Sequence, residues 1–154
     1  MSATLLSGSD LAKERRAALK EAVNNFRTHH HVTPTLAILR VGDDEAAAGY
    51  ARAIARNCKN SDVGFEATEL PVNADQQQVG AALQQLNDDP AIHGILVQLP
   101  LPGHIDSGAV IQTITPDKDV DGFNVVNAGR LATGGKGLVP CTPRGCLMML
   151  KDRL

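Results

Sequence analysis

The sequence predicts an α/β fold, a three-layer α/β/α domain built around a mainly parallel sheet. After a first helix, helical segments alternate with short apolar runs in the order β, α, β, α, β. The apolar runs are continuous rather than alternating, as strands covered on both faces require. A length of 154 residues is typical of one domain, so we expect residues 1–154 to form a single folded unit.

Eight segments carry the signals of regular structure. In chain order they are a helix over 9–26, a strand over 35–42, a helix over 43–60, a strand over 64–71, a helix over 74–89, a strand over 91–100, a helix over 107–114 and a helix over 141–154.

The first four elements rest on end signals as well as on periodicity. The first helix has Ser9 as its expected N-cap and ends where HHHVTP interrupts its apolar pattern. The strand TLAILRVG is rich in apolar residues and is closed by Gly42. The next helix opens with acids and closes with Lys59 and Asn60, as the helix dipole favours. GFEATELP has the composition of a second strand.

The later elements follow the same logic. The helix over 74–89 keeps its apolar residues on one face, AIHGILVQLP is a third strand, and SGAVIQTI is a short helix. Residues 115–145 contain six glycines and three prolines together with recurrent apolar residues, which predicts an ordered loop. In the last helix Thr142 is the expected N-cap, and Pro143 suits the first turn.

Composition excludes several classes of protein. Hydrophobic residues make up 43% of the chain and charged residues 21%, as in a soluble globular protein. A net charge of -2 and few aromatics argue against binding to nucleic acid or to an anionic membrane. Neither a leader nor an apolar run long enough to span a membrane is expected. The three cysteines form no CxxC pair, so we expect reduced thiols and a cytoplasmic protein.

Gln98 interrupts the apolar run HGILVQLPLPGH. Ligands of open parallel sheets bind beyond the carboxyl ends of the strands, and Gln98 lies at such an end. Pro100 and Pro102 prevent the strand from continuing and would present Gln98 to a cleft. The alternative is that Gln98 only hydrogen-bonds neighbouring backbone.

Two more polar stretches follow strand ends. VGDDEAAAGY leads to Tyr50 on a helix, and PDKDVDGF places Lys118, Asp119 and Asp121 in a tight loop. Turn formation alone could also explain Asp and Gly in such a loop.

These stretches, together and in this order, resemble one known family. VGDD with GYARAIARNC, GILVQLPLP, PDKDVDGFNVVNAGRL and CTPRG are similar to the bifunctional methylenetetrahydrofolate dehydrogenase/methenyltetrahydrofolate cyclohydrolase family, from roughly residue 5 to the end. The resemblance implies the folate-binding catalytic domain, a tetrahydrofolate derivative as ligand and a homodimer. It implies catalytic roles for Tyr50, Gln98 and Asp121. The substrate-binding residues that it implies are Tyr50, Asn57, Gln98, Leu99, Pro100 and Asp121.

The chain departs from the family at its catalytic lysine. Ile54 stands at that position, one helical turn after Tyr50, and an isoleucine can neither transfer a proton nor donate to Gln98. Helical geometry turns Arg52 and Arg56 to other faces. Asn57 lies on the correct side but does not titrate, so it could only hydrogen-bond a ligand.

The second departure concerns the cofactor. Family members continue past the CTPRG helix into a Rossmann domain that binds NAD(P), and we expect that domain and its cofactor site to be absent here. ATGGKG, residues 132–137, lacks the strand-turn-helix context of a dinucleotide motif. The adjacent histidines 29–31 splay apart, so no metal site is predicted. Alone, the chain should not be a dehydrogenase.

Two classes of function remain open. The first is an enzyme that hydrolyses the methenyl bridge of a folate at a reduced rate, or one whose cleft now catalyses a cyclisation or hydrolysis of a non-folate substrate in specialised metabolism. The second is a catalytically inactive binding protein that pairs with itself or with a full-length relative. Retention of Tyr50, Gln98 and Asp121 favours a working pocket, whereas Ile54 argues against the ancestral catalysis.

Overall fold

A computed structural model describes residues 7–153 and has the predicted α/β architecture. The helices and strands are α1 Gly8–His30, β1 Thr35–Val41, α2 Glu45–Asn60, β2 Gly64–Leu70, α3 Gln76–Asp88, β3 Gly94–Val97, α4 Ser107–Thr113, α5 Val125–Ala132 and α6 Cys141–Arg153. The expectation that the chain has no leader concerns in part residues 1–6, which lie outside the described range.

The sheet is parallel, with β1 between β2 and β3. Leu39 of β1 lies opposite Val97, the last residue of β3. On the other edge of β3, Ile95 forms a parallel bridge with Asp119, and its N–H donates to the Lys118 carbonyl at 2.7 Å. Because these segments run in the same direction, their carboxyl ends meet at one edge of the sheet.

Helices cover both faces of the sheet. The larger core lies on the face of α3 and α4, and its members are Ala37, Leu39, Val41, Ala74, Val79, Leu83, Leu86, Ile92, Ile95, Val97, Leu101, Ile105, Val110 and Ile114. Ile38 points to the opposite face because strand side chains alternate, and it is also buried. Helix α2 packs against β1 and β2 and buries Ala51 and Cys58.

The edge strand β2 departs from the predicted pattern of burial on both faces. None of its residues is fully buried, and Glu66 and Glu69 are exposed. An edge strand has a neighbour on one side only, which leaves its outer positions in contact with water.

The first helix is longer than predicted at both ends. It begins before Ser9, and Ser7 occupies the N-cap position without a side-chain cap hydrogen bond. The helix continues through His29 and His30, and the His30 ring packs against the ring of Phe26, with centroids 4.5 Å apart. His31 closes the helix in the left-handed conformation, with φ 56°.

Two predictions in the later part of the chain were wrong. Residues 115–145 are not loop throughout, since they contain α5. The Asn124 side chain caps α5 by accepting the Val126 N–H at 2.9 Å, and the two valines and the glycine lower the helix propensity of this short segment. Helix α6 begins at Cys141, so Thr142 lies in its first turn rather than at the N-cap.

Gly94 allows the segment after α4 to pack on β3. A Cβ at this position would lie 2.5 Å from Cγ1 of Val120, a stiff side chain on that segment. We therefore expect Gly94→Ala to lower the free energy of unfolding by about 1 to 3 kcal/mol, the usual cost of overpacking. Urea denaturation measures this difference.

Gly80 provides the matched control, because it lies within α3 and nothing lies within 4 Å of a Cβ built there. Gly80→Ala should raise the free energy of unfolding by about 0.5 to 1 kcal/mol, since alanine is the better helix former. Equal effects of the two substitutions would contradict the packing argument.

Candidate functional site

A cavity of about 120 Å³ opens at the carboxyl edge of the sheet. We call it the Tyr50 cavity. It brings together three polar residues from separate parts of the sequence with apolar side chains of β3 and its neighbours. Its lining residues are Tyr50, Leu96, Val97, Gln98, Leu99, Asp121 and Phe123.

Helix α2 presents Tyr50 to this cavity. The helix is fixed at its start by Asp44, whose carboxylate accepts the Ala47 N–H at 2.7 Å. The Tyr50 side chain is 55% exposed, and Phe123, on the same cavity, is 48% exposed. Two of the chain's four aromatic residues thus offer ring surface at one site, where a planar ligand could pack.

Gln98 directly follows Val97, the last residue of β3. The strand is shorter than predicted. Its N–H continues the sheet by donating to the Leu39 carbonyl at 2.8 Å. Its side-chain amide donates to the Leu99 carbonyl at 3.3 Å, so backbone bonding accounts for one end of the side chain. The other end, Oε1, is buried and has no hydrogen-bond partner among residues 7–153. A buried acceptor of this kind favours a ligand with an N–H group.

Asp121 lies in a segment that is anchored from both sides. The Lys118 ammonium donates to three carbonyls near the C-terminal end of α3, at 2.7 to 3.1 Å. The buried Asp119 carboxylate accepts the Asn124 N–H at 2.8 Å and the Asn127 side-chain amide at 3.0 Å. Lys118 and Asp119 therefore hold the loop, and Asp121 is the member of the acidic stretch that reaches the cavity.

Burial raises the pKa of Asp121 above its usual range, and the negative charge of Asp119 raises it further. The next residue, Gly122, has a φ of +66°, and a Cβ there would lie 2.9 Å from the Leu138 carbonyl oxygen. Only glycine suits both conditions, so the DG pair fixes the direction in which the loop leaves the site.

Cys141 lies beside this loop. Its thiol donates to the Val120 carbonyl at 3.6 Å, and burial raises its pKa, with a second contribution from the Asp121 charge. A thiol with a raised pKa carries little thiolate at neutral pH, which argues against a nucleophilic role. All three cysteines of the chain are free.

A second, larger cavity of about 350 Å³ shares Gln98 and Leu99 with the Tyr50 cavity. We call it the Arg40 cavity. Its walls come from the end of β1, the first turn of α2 and the turn after β3. Its lining residues are Arg40, Val41, Asp44, Ala46, Ala47, Gln98, Leu99 and Pro100.

The structure brings together most, but not all, of the residues singled out in the sequence. Asn57 is exposed on α2, and Ile54 is half-buried one turn after Tyr50. Neither residue lines the Tyr50 cavity or the Arg40 cavity.

Phe123 and Arg40 are among the lining residues that the sequence analysis did not single out. Phe123 directly follows DVDG, and an aromatic residue next to a polar turn could have indicated it. Arg40 is the only charged residue in the apolar strand TLAILRVG, which is the signal that could have found it.

The glycine-rich segment 132–137 does not fit a dinucleotide. It follows α5 rather than a strand, and the backbone and side chain of Arg130 lie against Gly135 and Gly137. A pyrophosphate needs a glycine turn between a strand and the start of a helix, and this segment does not provide one.

The three neighbouring histidines do not converge. His29 Nδ1 lies 2.7 Å from the Asn25 carbonyl oxygen, His30 packs on Phe26, and His31 forms the helix cap. Over residues 7–153, no three His, Cys, Asp or Glu side chains are placed to share a metal ion. Within the same range, no helix is both long and apolar enough to span a bilayer.

Residues 6–121 match the family model described as tetrahydrofolate dehydrogenase/cyclohydrolase, catalytic domain. The chain is 49% identical over 154 residues to the Bifunctional protein FolD 1 of Roseobacter denitrificans, covering 99% of this chain and 51% of that protein. It is 48% identical over 150 residues to the Bifunctional protein FolD of Rhodospirillum centenum, covering 97% and 49%. The chain thus spans about half the length of the curated relatives it matches.

Solved structures also match nearly all of this chain and about half of their own length. A bifunctional FolD from Campylobacter jejuni superposes with a TM-score of 0.94 at 37% identity, over 97% of this chain and 53% of that chain. A methylenetetrahydrofolate dehydrogenase-cyclohydrolase from Trypanosoma brucei, complexed with NADP cofactor and inhibitor, superposes with a TM-score of 0.92 at 30% identity, over 99% and 52%.

The raised pKa of Asp121 predicts a stability effect that depends on pH. A carboxyl whose pKa is raised by folding favours the folded state while protonated, and this contribution is lost as pH rises through the folded pKa. Asp121→Asn should therefore raise the melting temperature near pH 7, and the difference should shrink as pH falls toward the ordinary range of an aspartate.

Thermal unfolding at several pH values measures this effect. Asp117→Asn is the matched control, because Asp117 lies on the same segment and its side chain is 85% exposed. The control should change the melting temperature little at any pH. A lower melting temperature for Asp121→Asn at pH 7 would contradict the conclusion that burial of the Asp121 carboxylate is unfavourable.

Proposed function

Since the chain belongs to the tetrahydrofolate dehydrogenase/cyclohydrolase family, we propose that it binds a reduced folate in the Tyr50 cavity. The observation that carries this proposal is the convergence of Tyr50, Gln98 and Asp121 on one cavity at the carboxyl edge of the sheet. These are the residues for which the sequence resemblance implies folate binding.

Each lining residue suits a different part of such a ligand. The exposed rings of Tyr50 and Phe123 offer faces on which a planar pterin or benzoyl ring can pack. The Asp121 carboxyl can accept hydrogen bonds from the amino and N–H groups of a pterin. The buried Oε1 of Gln98 can accept another N–H. Leu96, Val97 and Leu99 form the apolar part of the wall.

The reaction we propose is slow hydrolysis of the methenyl bridge. Water adds to the electrophilic carbon of the bridge, the adduct loses a proton, and one carbon–nitrogen bond breaks to leave a formyl group and an N–H. Ile54 cannot carry the proton in these steps, so the chain contributes mainly by holding the ligand. Loss of a positioned acid or base costs typically 10² to 10⁴ in rate.

A non-enzymatic binding protein is the second candidate function. Helix α1 contributes only Val23 to the buried residues, while Leu19 and Phe26 remain 47% and 41% exposed. Leu147 and Leu150 of α6 are also exposed. Exposed apolar side chains on two helices favour association with a second copy or with a full-length relative.

The Tyr50 cavity could also serve a non-folate substrate, through a cyclisation or a hydrolysis.

We expect measurable binding of 5-formyltetrahydrofolate by isothermal titration calorimetry. Asp121→Ala should weaken it by about 10-fold or more, since the substitution removes a charged hydrogen-bonding group from the site. Asp117→Ala, on the same segment but outside the cavity, should bind as the wild type does. Absence of binding heat, together with failure to displace a fluorescent folate analogue, would contradict the proposal.

We expect little hydrolysis of methenyltetrahydrofolate by the wild-type chain, and an increase of about 10-fold or more in Ile54→Lys. The new ammonium would lie one helical turn from Tyr50, on the side of the cavity. Ala53→Lys is the matched control, since its side chain projects about 100° away round the helix. Loss of the methenyl absorbance, corrected for the uncatalysed rate, measures the activity. A normal enzymatic rate in the wild type would show that Ile54 is not a defect.

A further inference from the structure

Arg40 and Gln98 occupy neighbouring positions at the ends of two paired strands. The register of β1 and β3 runs to Leu39 opposite Val97, so Arg40 and Gln98 are the next residues along each chain. Because strand side chains alternate, Arg40 points to the same face of the sheet as Ile38, and Gln98 to the same face as Leu96, which is opposite Ile38. This face is not the one that carries the larger core. Both side chains line the Arg40 cavity.

Each of these side chains has one buried polar atom without a partner among residues 7–153. For Arg40 the atom is Nε, which can only donate, and for Gln98 it is Oε1, which can only accept. Buried polar atoms are nearly always hydrogen-bonded. Here the side chains that carry the orphan donor and the orphan acceptor line the same cavity.

The Arg40 guanidinium is held in place by its other nitrogens. NH1 donates to the Gly42 carbonyl at 2.9 Å, and NH2 lies 3.0 Å from the Glu69 carboxylate. The Arg40 side chain is only 11% exposed. Because NH1 and NH2 are both engaged, the direction of the Nε–H is fixed before any ligand arrives.

The charges around Arg40 do not suit an anion. Its positive charge is paired with the Glu69 carboxylate, and a second acidic residue, Asp44, lines the same cavity. A neutral group that accepts one hydrogen bond and donates another fits better, because it satisfies both orphan atoms without adding charge.

We propose that Arg40 and Gln98 form a subsite for the edge of an amide, with the amide oxygen on Arg40 Nε and the amide N–H on Gln98 Oε1. Where the ligand is a folate, which rests on the proposed function, this edge is either the lactam of the pterin or the amide between the benzoyl group and glutamate. The subsite adds Arg40 to the residues that determine specificity.

Calorimetry with three probes tests this subsite. Tetrahydropterin carries the lactam, p-aminobenzoylglutamate carries the benzoyl amide, and 5-formyltetrahydrofolate carries both. Arg40→Met removes the donor but keeps the length of the side chain, and it should weaken the probe that uses the subsite by about 10-fold or more. The probe whose binding Arg40→Met weakens shows whether the lactam or the benzoyl amide occupies the subsite.

Two further variants control for folding and for charge. Arg40→Lys keeps a cation near Glu69 but lacks the Nε donor, so it should weaken binding as Arg40→Met does even if the methionine variant is unstable. Arg52→Met removes an exposed arginine that pairs with Glu45 outside both cavities, and it should bind within about twofold of the wild type.

The outcomes separate the subsite from the proposed function. If the wild type binds 5-formyltetrahydrofolate and both Arg40 variants bind it equally well, the subsite is overturned and the folate proposal stands. If only one of the smaller amides binds, and does so through Arg40, the subsite stands and the folate proposal falls. If no probe binds to the wild type, both are overturned.

Discussion

The attachment of residues 118–122 to β3 is the constraint on which the site depends. The Ile95 N–H donates to the Lys118 carbonyl, and Gly94 leaves room for Val120 to lie against the strand. Lys118 ties the segment to the end of α3, and Asp119 ties it to the start of α5. Asp121 reaches the cavity because the residues on both sides of it are fixed.

The same region concentrates the unfavourable features of the molecule. Asp121 is a carboxyl whose pKa is raised by burial, Gln98 Oε1 and Arg40 Nε are buried without partners, and the Tyr50 ring is exposed. Elsewhere the chain satisfies local rules, as in the capping box of α3. Departures of this kind are expected where a protein keeps groups ready for a ligand, since a ligand can satisfy what the fold does not.

Under the proposed function, in which Ile54 stands at the position of a catalytic lysine, the substitution changes what the cleft can do more than how it folds. Ile54 is half-buried on α2, so a hydrocarbon there suits the helix, and the structure keeps the cavity beside it. Under that proposal, isoleucine lacks the titratable group and the hydrogen-bond donor for Gln98 that a lysine would supply. Binding and chemistry can therefore separate in this chain, which is why both an impaired enzyme and a binding protein are consistent with one cavity.

The sequence by itself determined the fold class, the order of the alternating elements and the motifs around Tyr50, Gln98 and Asp121, because these depend on local periodicity, end signals and residue spacing. Tertiary structure decided the rest. Helix α5 is short, and its start is fixed by Asn124, which caps the helix and whose N–H donates to the Asp119 carboxylate. The pairing of Arg40 with Gln98 at one cavity depends on strand register, which joins residues far apart in the chain and which no local pattern encodes.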